Sequence, residues 1–229
     1  MATTEPVWEV AAIIGRLPGA SNATLLARLA DDTPVVYKPT AGESPLWDFP
    51  DESLAIREVL AFEVSEAADL GVVPETRWCD GPHGPGSAQR YVTEDRDLDQ
   101  RRLLSPDLDE RLWPIALLDL VTNNADRKLG HVLPTADGQL MAIDNALSFH
   151  PQDKLRTVLW GFAGRDLPPS ARAAIASWVV KAEVLEDRIG GSLGGAEATA
   201  FTSRVDWLAH HPVHPFPPSH RPTTPWPLW

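Results

Sequence analysis

Proline decides first where this chain can be helical, and it occurs 22 times. Its ring fixes φ and removes an amide hydrogen, so it is tolerated in a helix's first turn but excluded from helix interiors and central strands. Residues 52–69, "ESLAIREVLAFEVSEAAD", contain neither proline nor glycine. Their apolar residues Leu54, Ile56, Leu60, Ala61, Val64 and Ala68 recur at helical spacing, which predicts an amphipathic helix. "PPSARAAIASWVVKAEVLEDRI" opens with proline ahead of a second helix. "DERLWPIALLDLVTNN" predicts a strongly apolar helix that accommodates Pro114, and "GGAEATAFTSRVDWLAHH" starts another after glycines. The last twenty residues, "HHPVHPFPPSHRPTTPWPLW", form no helix or central strand and are expected to be extended, pinned to the surface by Trp226 and Trp229. Four of the seven histidines lie there, but no carboxylate or cysteine accompanies them, so no metal site is expected in the tail.

The first part of the chain reads as strands. "VWEVAAIIGRL" and "ATLLARLA" flank the turn "PGASN", and "DDTP" turns into the β-branched run "VVYKPT". After a proline-rich loop and the first helix, "GVVPETRWCDG" and "SAQRYVTE" flank the turn "GPHGPG". Beyond Glu94 the charged, irregular "DRDLDQRRLLSPDLDE" marks a connection, and "HVLPTADGQLMAID" reads as a hairpin turning at "TADG". A mainly β first half with one helix is thus followed by a mainly α second half with one hairpin. This predicts one two-lobed α+β domain, with lobes over 7–94 and 95–209 and a tail over 210–229.

Composition narrows the function. With 43% hydrophobic residues the chain can bury a real core, and no run approaches the ~18 apolar residues of a membrane span. The start, "MATTEPVWEV", has none of the regions of a signal peptide, and the single cysteine, Cys79, fits a reducing cytoplasm. A net charge of −12 argues against sequence-independent nucleic-acid binding, while leaving room for a local basic pocket that holds phosphates.

Three charges stand where an apolar element has just ended: Lys38 after the third strand, Asp126 after the apolar helix, Asp144 after the hairpin. A charge in such company is costly without a partner or ligand. Each has a plain reading alone: a strand-end surface lysine, an aspartate that caps a turn or pairs with Arg127, and an aspartate that opens an Asx-turn with Asn145. In this order they point to phosphoryl transfer, which needs a cation on the nucleotide phosphates, a carboxylate to orient the acceptor hydroxyl and a carboxylate to hold a metal. Lys38 suits the first role, oriented by Glu58 from the amphipathic helix; Asp126 suits the second and Asp144 the third. Magnesium takes oxygen ligands and keeps waters, so one or two carboxylates plus phosphates suffice.

The same segments resemble a known family. "REVLAFEVSEAADLGVVPET" resembles the Glu-bearing helix and following strand of atypical kinases related to phosphatidylinositol 3- and 4-kinases. "NNADRKLGH" resembles their catalytic loop, and "AIDNALSFH" their metal-binding aspartate, with "IDNA" closest to the Asp-Asn-Gly of secretory-pathway kinases. The series "VYKPTAGESPLWDFP…NNADRKLGH…IDNALSFH…KLRTVLWGF" looks most like an actinobacterial family labelled phosphatidylinositol 3/4-kinase-like, over residues 10 to 190. The resemblance implies a two-lobed protein-kinase-like fold and an ATP-dependent phosphotransferase using Mg2+ or Mn2+. It further implies phosphate contacts from the turn at Gly19, Ala20 and Ser21, and adenine contacts from the backbone of Tyr91 and Val92. Three positions depart from the pattern, one of them Ala146, which replaces the glycine after the Asp-Asn pair. Lys128 replaces the loop histidine, and His131 stands where an asparagine completes the metal site, a donor better suited to manganese or zinc. Those departures keep a second reading open, a pseudokinase serving as a nucleotide-binding or interaction module. Transfer of a nucleotidyl group in the same cleft is a third. Lys154 and Arg156 follow the metal aspartate and are candidates to meet an acidic substrate. With no polybasic patch or membrane helix, the expected acceptor is a hydroxyl on a protein or small molecule.

Overall fold

The structure, a computed structural model, describes residues 7–19, 22–95, 97, 100 and 109–228. Five strands close into a small barrel: β1 (Trp8–Arg16), β2 (Leu25–Leu29), β3 (Pro34–Pro39), β4 (Thr76–Asp80) and β5 (Gly86–Arg90), in the order β1-β2-β3-β5-β4. Neighbours are antiparallel except at the seam, where β1 and β4 run parallel through Trp8–Cys79 and Glu9–Asp80. Alternation along β3 does the positioning. Val35 and Tyr37 point into the barrel core with Val10, Ala27, Cys79 and Ala88, so Val36 and Lys38 occupy the opposite face. Gly86 opposes this strand end for a steric reason: a Cβ there would sit 2.3 Å from the Lys38 carbonyl oxygen.

Helix α1 (Leu54–Ala67) lies against β4 and β5 and also packs on the helical lobe. Its start is capped from outside, since the Glu43 carboxylate accepts from the Leu54 and Ala55 amides at 3.1 and 2.8 Å. Helix α2 (Trp113–Thr122) is buried along its whole length except at Pro114, which occupies the first turn where no intrahelical bond is lost. Asn123 ends it in the left-handed region, φ 57 and ψ 48, a conformation asparagine tolerates. The hairpin β6 (Val132–Pro134) and β7 (Leu140–Ala142) follows.

The single helix expected after Pro169 is two, α3 (Pro169–Val180) and α4 (Ala182–Ser192), broken at Lys181. Lys181 Nζ bonds the Ala67 carbonyl at 2.6 Å, and the break lets both pieces pack on α1 and on α5 (Gly195–His210). Trp178 reinforces the junction by donating to the Val64 carbonyl at 2.8 Å. Among the described residues, no helix is long and apolar enough to cross a membrane.

The tail is extended as expected, but Trp226, expected to pin it, does not. Trp226 is 88% exposed and anchors nothing, and Trp229 lies outside the described residues. Backbone bonds hold the tail instead: the Thr223 carbonyl accepts from the Thr157 amide and Trp160 Nε1, and the Leu228 carbonyl accepts from the Leu129 amide. The one histidine ring buried there, His214, sits among Trp113, Trp160 and Phe162. The charged connection after Glu94 falls largely outside the described residues.

Candidate functional site

Between the barrel and the helical lobe lies a cleft of about 910 Å³. Gly19, Lys38, Glu58, Tyr91, Val92, Asp126, His131 and Asp144 all line it. Ala20 and Ser21, assigned with Gly19 to phosphate contact, lie outside the described residues. Gly19 itself has φ +82 and nothing within 4 Å of where a Cβ would be. The Tyr91 amide already donates to the Pro34 carbonyl at 3.0 Å.

The middle of the cleft is a linked set of charges from three elements. Lys38 on β3 donates to Glu58 Oε1 on α1, and to Asp144 Oδ1, just past β7, at 2.9 Å. The second oxygen of Glu58 accepts from the Asn145 amide at 3.0 Å, so this carboxylate is held from both lobes. Glu58 is nearly closed to water while the Asp144 side chain is 47% exposed, which leaves Asp144 able to take a ligand from the cleft. Burial alone would lower the Lys38 pKa, but the charges of Asp144 and Glu58 outweigh it and raise it. The Lys38 charge in turn holds the Asp144 carboxyl well below the usual range. Asp144 has φ 55, in the left-handed region that aspartate enters more readily than most residues.

His131 Nε2 lies 3.3 Å from Asp144 Oδ2, and its Nδ1 faces the Lys128 amide at 3.5 Å. Burial pushes the imidazole pKa down to about 4, with Asp144 opposing, so the ring is neutral at pH 7. A neutral ring with Nδ1 turned to an amide carries its proton on Nε2 and presents it to Asp144.

Asp126 stands on the loop after α2. Its amide donates to Asn124 Oδ1 at 2.9 Å, and its Oδ2 is 3.0 Å from Lys128 Nζ. Burial raises its pKa; Lys128 opposes the shift and the charge of Asp144 adds to it. The pairing of Asp126 with Arg127 considered from sequence does not occur. Arg127 is fully buried and bonds Asp119 on α2 at 3.0 and 3.2 Å, the Ile143 carbonyl at 2.7 Å, and Asn145 Oδ1. Thr157 completes the cluster by donating to Asp119 Oδ2 at 3.1 Å. One guanidinium therefore ties the Asp126 loop to the Ile143 carbonyl and the Asn145 side chain, on either side of Asp144.

Sequence reasoning missed this cluster. Its signal was Asp119, a lone acid in the apolar run "IALLDLV", which needs a buried cation nearby. The Asn145 amide is likewise held by Glu58, not by an Asx-turn from Asp144. Lys154 is engaged by Asp48 at 3.1 Å and lies over the Trp47 ring, whereas the Arg156 charge acts on Asp126.

Among the described residues no group of three or more His, Cys, Asp or Glu side chains could hold a metal unaided. An exposed Asp144 carboxylate nevertheless fits a hard cation that takes its remaining oxygens from phosphates and water.

No family model matches the chain. It is 37% identical, over 255 residues, to Protein Rv2133c of Mycobacterium tuberculosis, covering 95% of this chain and 91% of that one. Two solved kinases share its architecture. The Helicobacter pylori proinflammatory kinase CtkA superposes with a TM-score of 0.58 at 12% identity, covering 91% of this chain and 95% of that one. The Golgi casein kinase with Mn/ADP bound gives 0.53 at 12% identity, covering 90% and 71%. At such identities the likeness is one of fold: a kinase-like β-rich sheet followed by a mainly helical part.

Proposed function

The chain belongs to the family of Protein Rv2133c, and we propose that it is an ATP- and metal-dependent phosphotransferase that moves the γ-phosphoryl group to a hydroxyl. The observation that carries this reading is the meeting of Lys38, Glu58 and Asp144, from three separate elements, in the cleft that Asp126 also lines. A chain under selection only for stability has little reason to gather four charges around open space.

Each residue then has a task. Lys38, held by Glu58, leaves Asp144 and turns to the nucleotide phosphates. Asp144 holds Mg2+ or Mn2+, which when bound would neutralise phosphate charge. His131, neutral, fixes the Asp144 carboxylate through its Nε2 proton; this is a positioning role rather than that of a metal ligand. Asp126 accepts a hydrogen bond from the acceptor hydroxyl and takes its proton as the new O–P bond forms and the bond to ADP breaks. Lys128 sits beside that carboxylate and balances the charge of the transferred group. With the Tyr91 amide engaged, the adenine contact falls to the Val92 backbone. Kinase-fold relatives bind nucleotide, as the Mn/ADP complex of the Golgi casein kinase does, which supports ATP here.

A nucleotide-binding module without turnover is the second reading. The observation in its favour is the imidazole of His131 beside Asp144, where an oxygen donor would complete a metal site. ADP release from ATP, followed with magnesium or manganese, separates the two. Metal-dependent release that is lost in Asp126→Ala supports the phosphotransferase; nucleotide binding with no release by the wild type in the presence of candidate acceptors supports the module.

A further inference from the structure

A second cavity, of about 570 Å³, is lined by residues of the helical lobe and the tail and shares no lining residue with the cleft. Its size is that of a small-molecule site, roughly 300–1,000 Å³. Trp160, Trp207 and Phe216 give it flat aromatic walls, and two arginines, Arg204 on α5 and Arg221 on the tail, stand among them. The charges do not balance. Asp153 is the one carboxylate in the lining, and it pairs with Arg221.

Arg204 is left without a paired carboxylate among the described residues. Its Nε donates to the Val121 carbonyl at 2.8 Å, and its Nη2 is buried with no acceptor. The Nε of Arg221 is also buried and unpartnered. Burial pushes the Arg204 pKa down to about 10, with Asp153 opposing. A guanidinium that lines a cavity with no carboxylate paired to it is met by an anion, because a charge-assisted hydrogen bond is roughly twice as strong as a neutral one. In a chain of net charge −12, a local excess of positive charge next to aromatic walls is a specific feature rather than a general property of the surface.

We propose that this cavity is a second ligand site that takes a small aromatic monocarboxylate, its ring between Trp160, Trp207 and Phe216 and its carboxylate on Arg204. The site does not depend on the nucleotide reading of the cleft. Calorimetric titration of the full chain with indole-3-acetate, and with the neutral indole-3-acetamide, tests it. The expected result is saturable binding of the acid, at least tenfold weaker binding of the amide, and loss of that difference in Arg204→Gln. Asp144→Ala should bind the acid as the wild type does, which keeps this test separate from the cleft. Arg204 also ties α5 to α2, so Trp207→Ala, altering a half-exposed ring, serves as the second variant and should weaken both compounds. Absence of binding, equal affinity for acid and amide, or wild-type affinity in Trp207→Ala overturns the proposal.

Discussion

Lys38 and Asp144, 106 positions apart in sequence, meet at 2.9 Å across the cleft. The contact joins the barrel to the hairpin of the helical lobe, and Glu58 holds the lysine from the side. Lys38→Met removes the cation from both carboxylates and leaves Glu58, nearly fully buried, with only the Asn145 amide. ATP affinity should fall roughly 10- to 100-fold, the value of about 1.5–3 kcal/mol for a charge-assisted contact. Calorimetric affinity equal to that of the wild type would take Lys38 out of the site.

Asp126→Asn keeps the shape of the loop and removes the proposed base. ATP affinity should stay within a few-fold of the wild type, while turnover falls by about 10²–10⁴. Equal loss of binding and turnover would assign Asp126 to the metal or to the fold.

The buried pair Asp119 and Arg127 should matter more to stability than any surface ion pair. Arg127→Leu strands the Asp119 carboxylate, whose pKa burial already raises despite Arg127. The expected cost is about 3–5 kcal/mol in urea denaturation. The double variant Asp119→Leu/Arg127→Leu should recover much of that loss; a double variant as unstable as the single one would show that Arg127 acts through Ile143 and Asn145 instead.

Acidification should loosen the tail. Burial lowers the His214 pKa, with the Pro215 carbonyl opposing, and the ring is neutral within its aromatic cage. The unfolded chain binds a proton near the ordinary value of ~6.5 and the folded chain only below it, so stability is complete above ~6.5 and falls as pH drops through that window. His131, pushed down to about 4, acts with the same sign. Melting temperatures from pH 7.5 to 5 should decline, and His214→Phe should flatten the slope. An unchanged slope would move the effect to His131.

Much of this was legible in the sequence, and the exceptions are instructive. Strands and helices followed turn residues and apolar periodicity, because both are local. Lys38 and Asp144 were visible as charges at the ends of apolar elements. The shared kinase-like architecture agrees with the fold the motifs implied, whereas the narrower phosphatidylinositol-kinase label gained no family match. Partner choice was hidden. Arg127 passes over its neighbour Asp126 for Asp119, two turns back on α2, since only the buried acid offers it full desolvated pairing. The exposed Trp226 shows the converse: a large ring in a tail held by backbone bonds has no pocket to fill.

The proposed role of Asp144 is to hold a metal for ATP in the cleft of Lys38. Isothermal calorimetry of ATP with magnesium, then with manganese, on the wild type and on Asp144→Ala tests it most directly. Wild-type binding should be metal-dependent, and it should be lost in Asp144→Ala while that variant still melts cooperatively. Metal-independent binding, or equal affinity in Asp144→Ala, would contradict it.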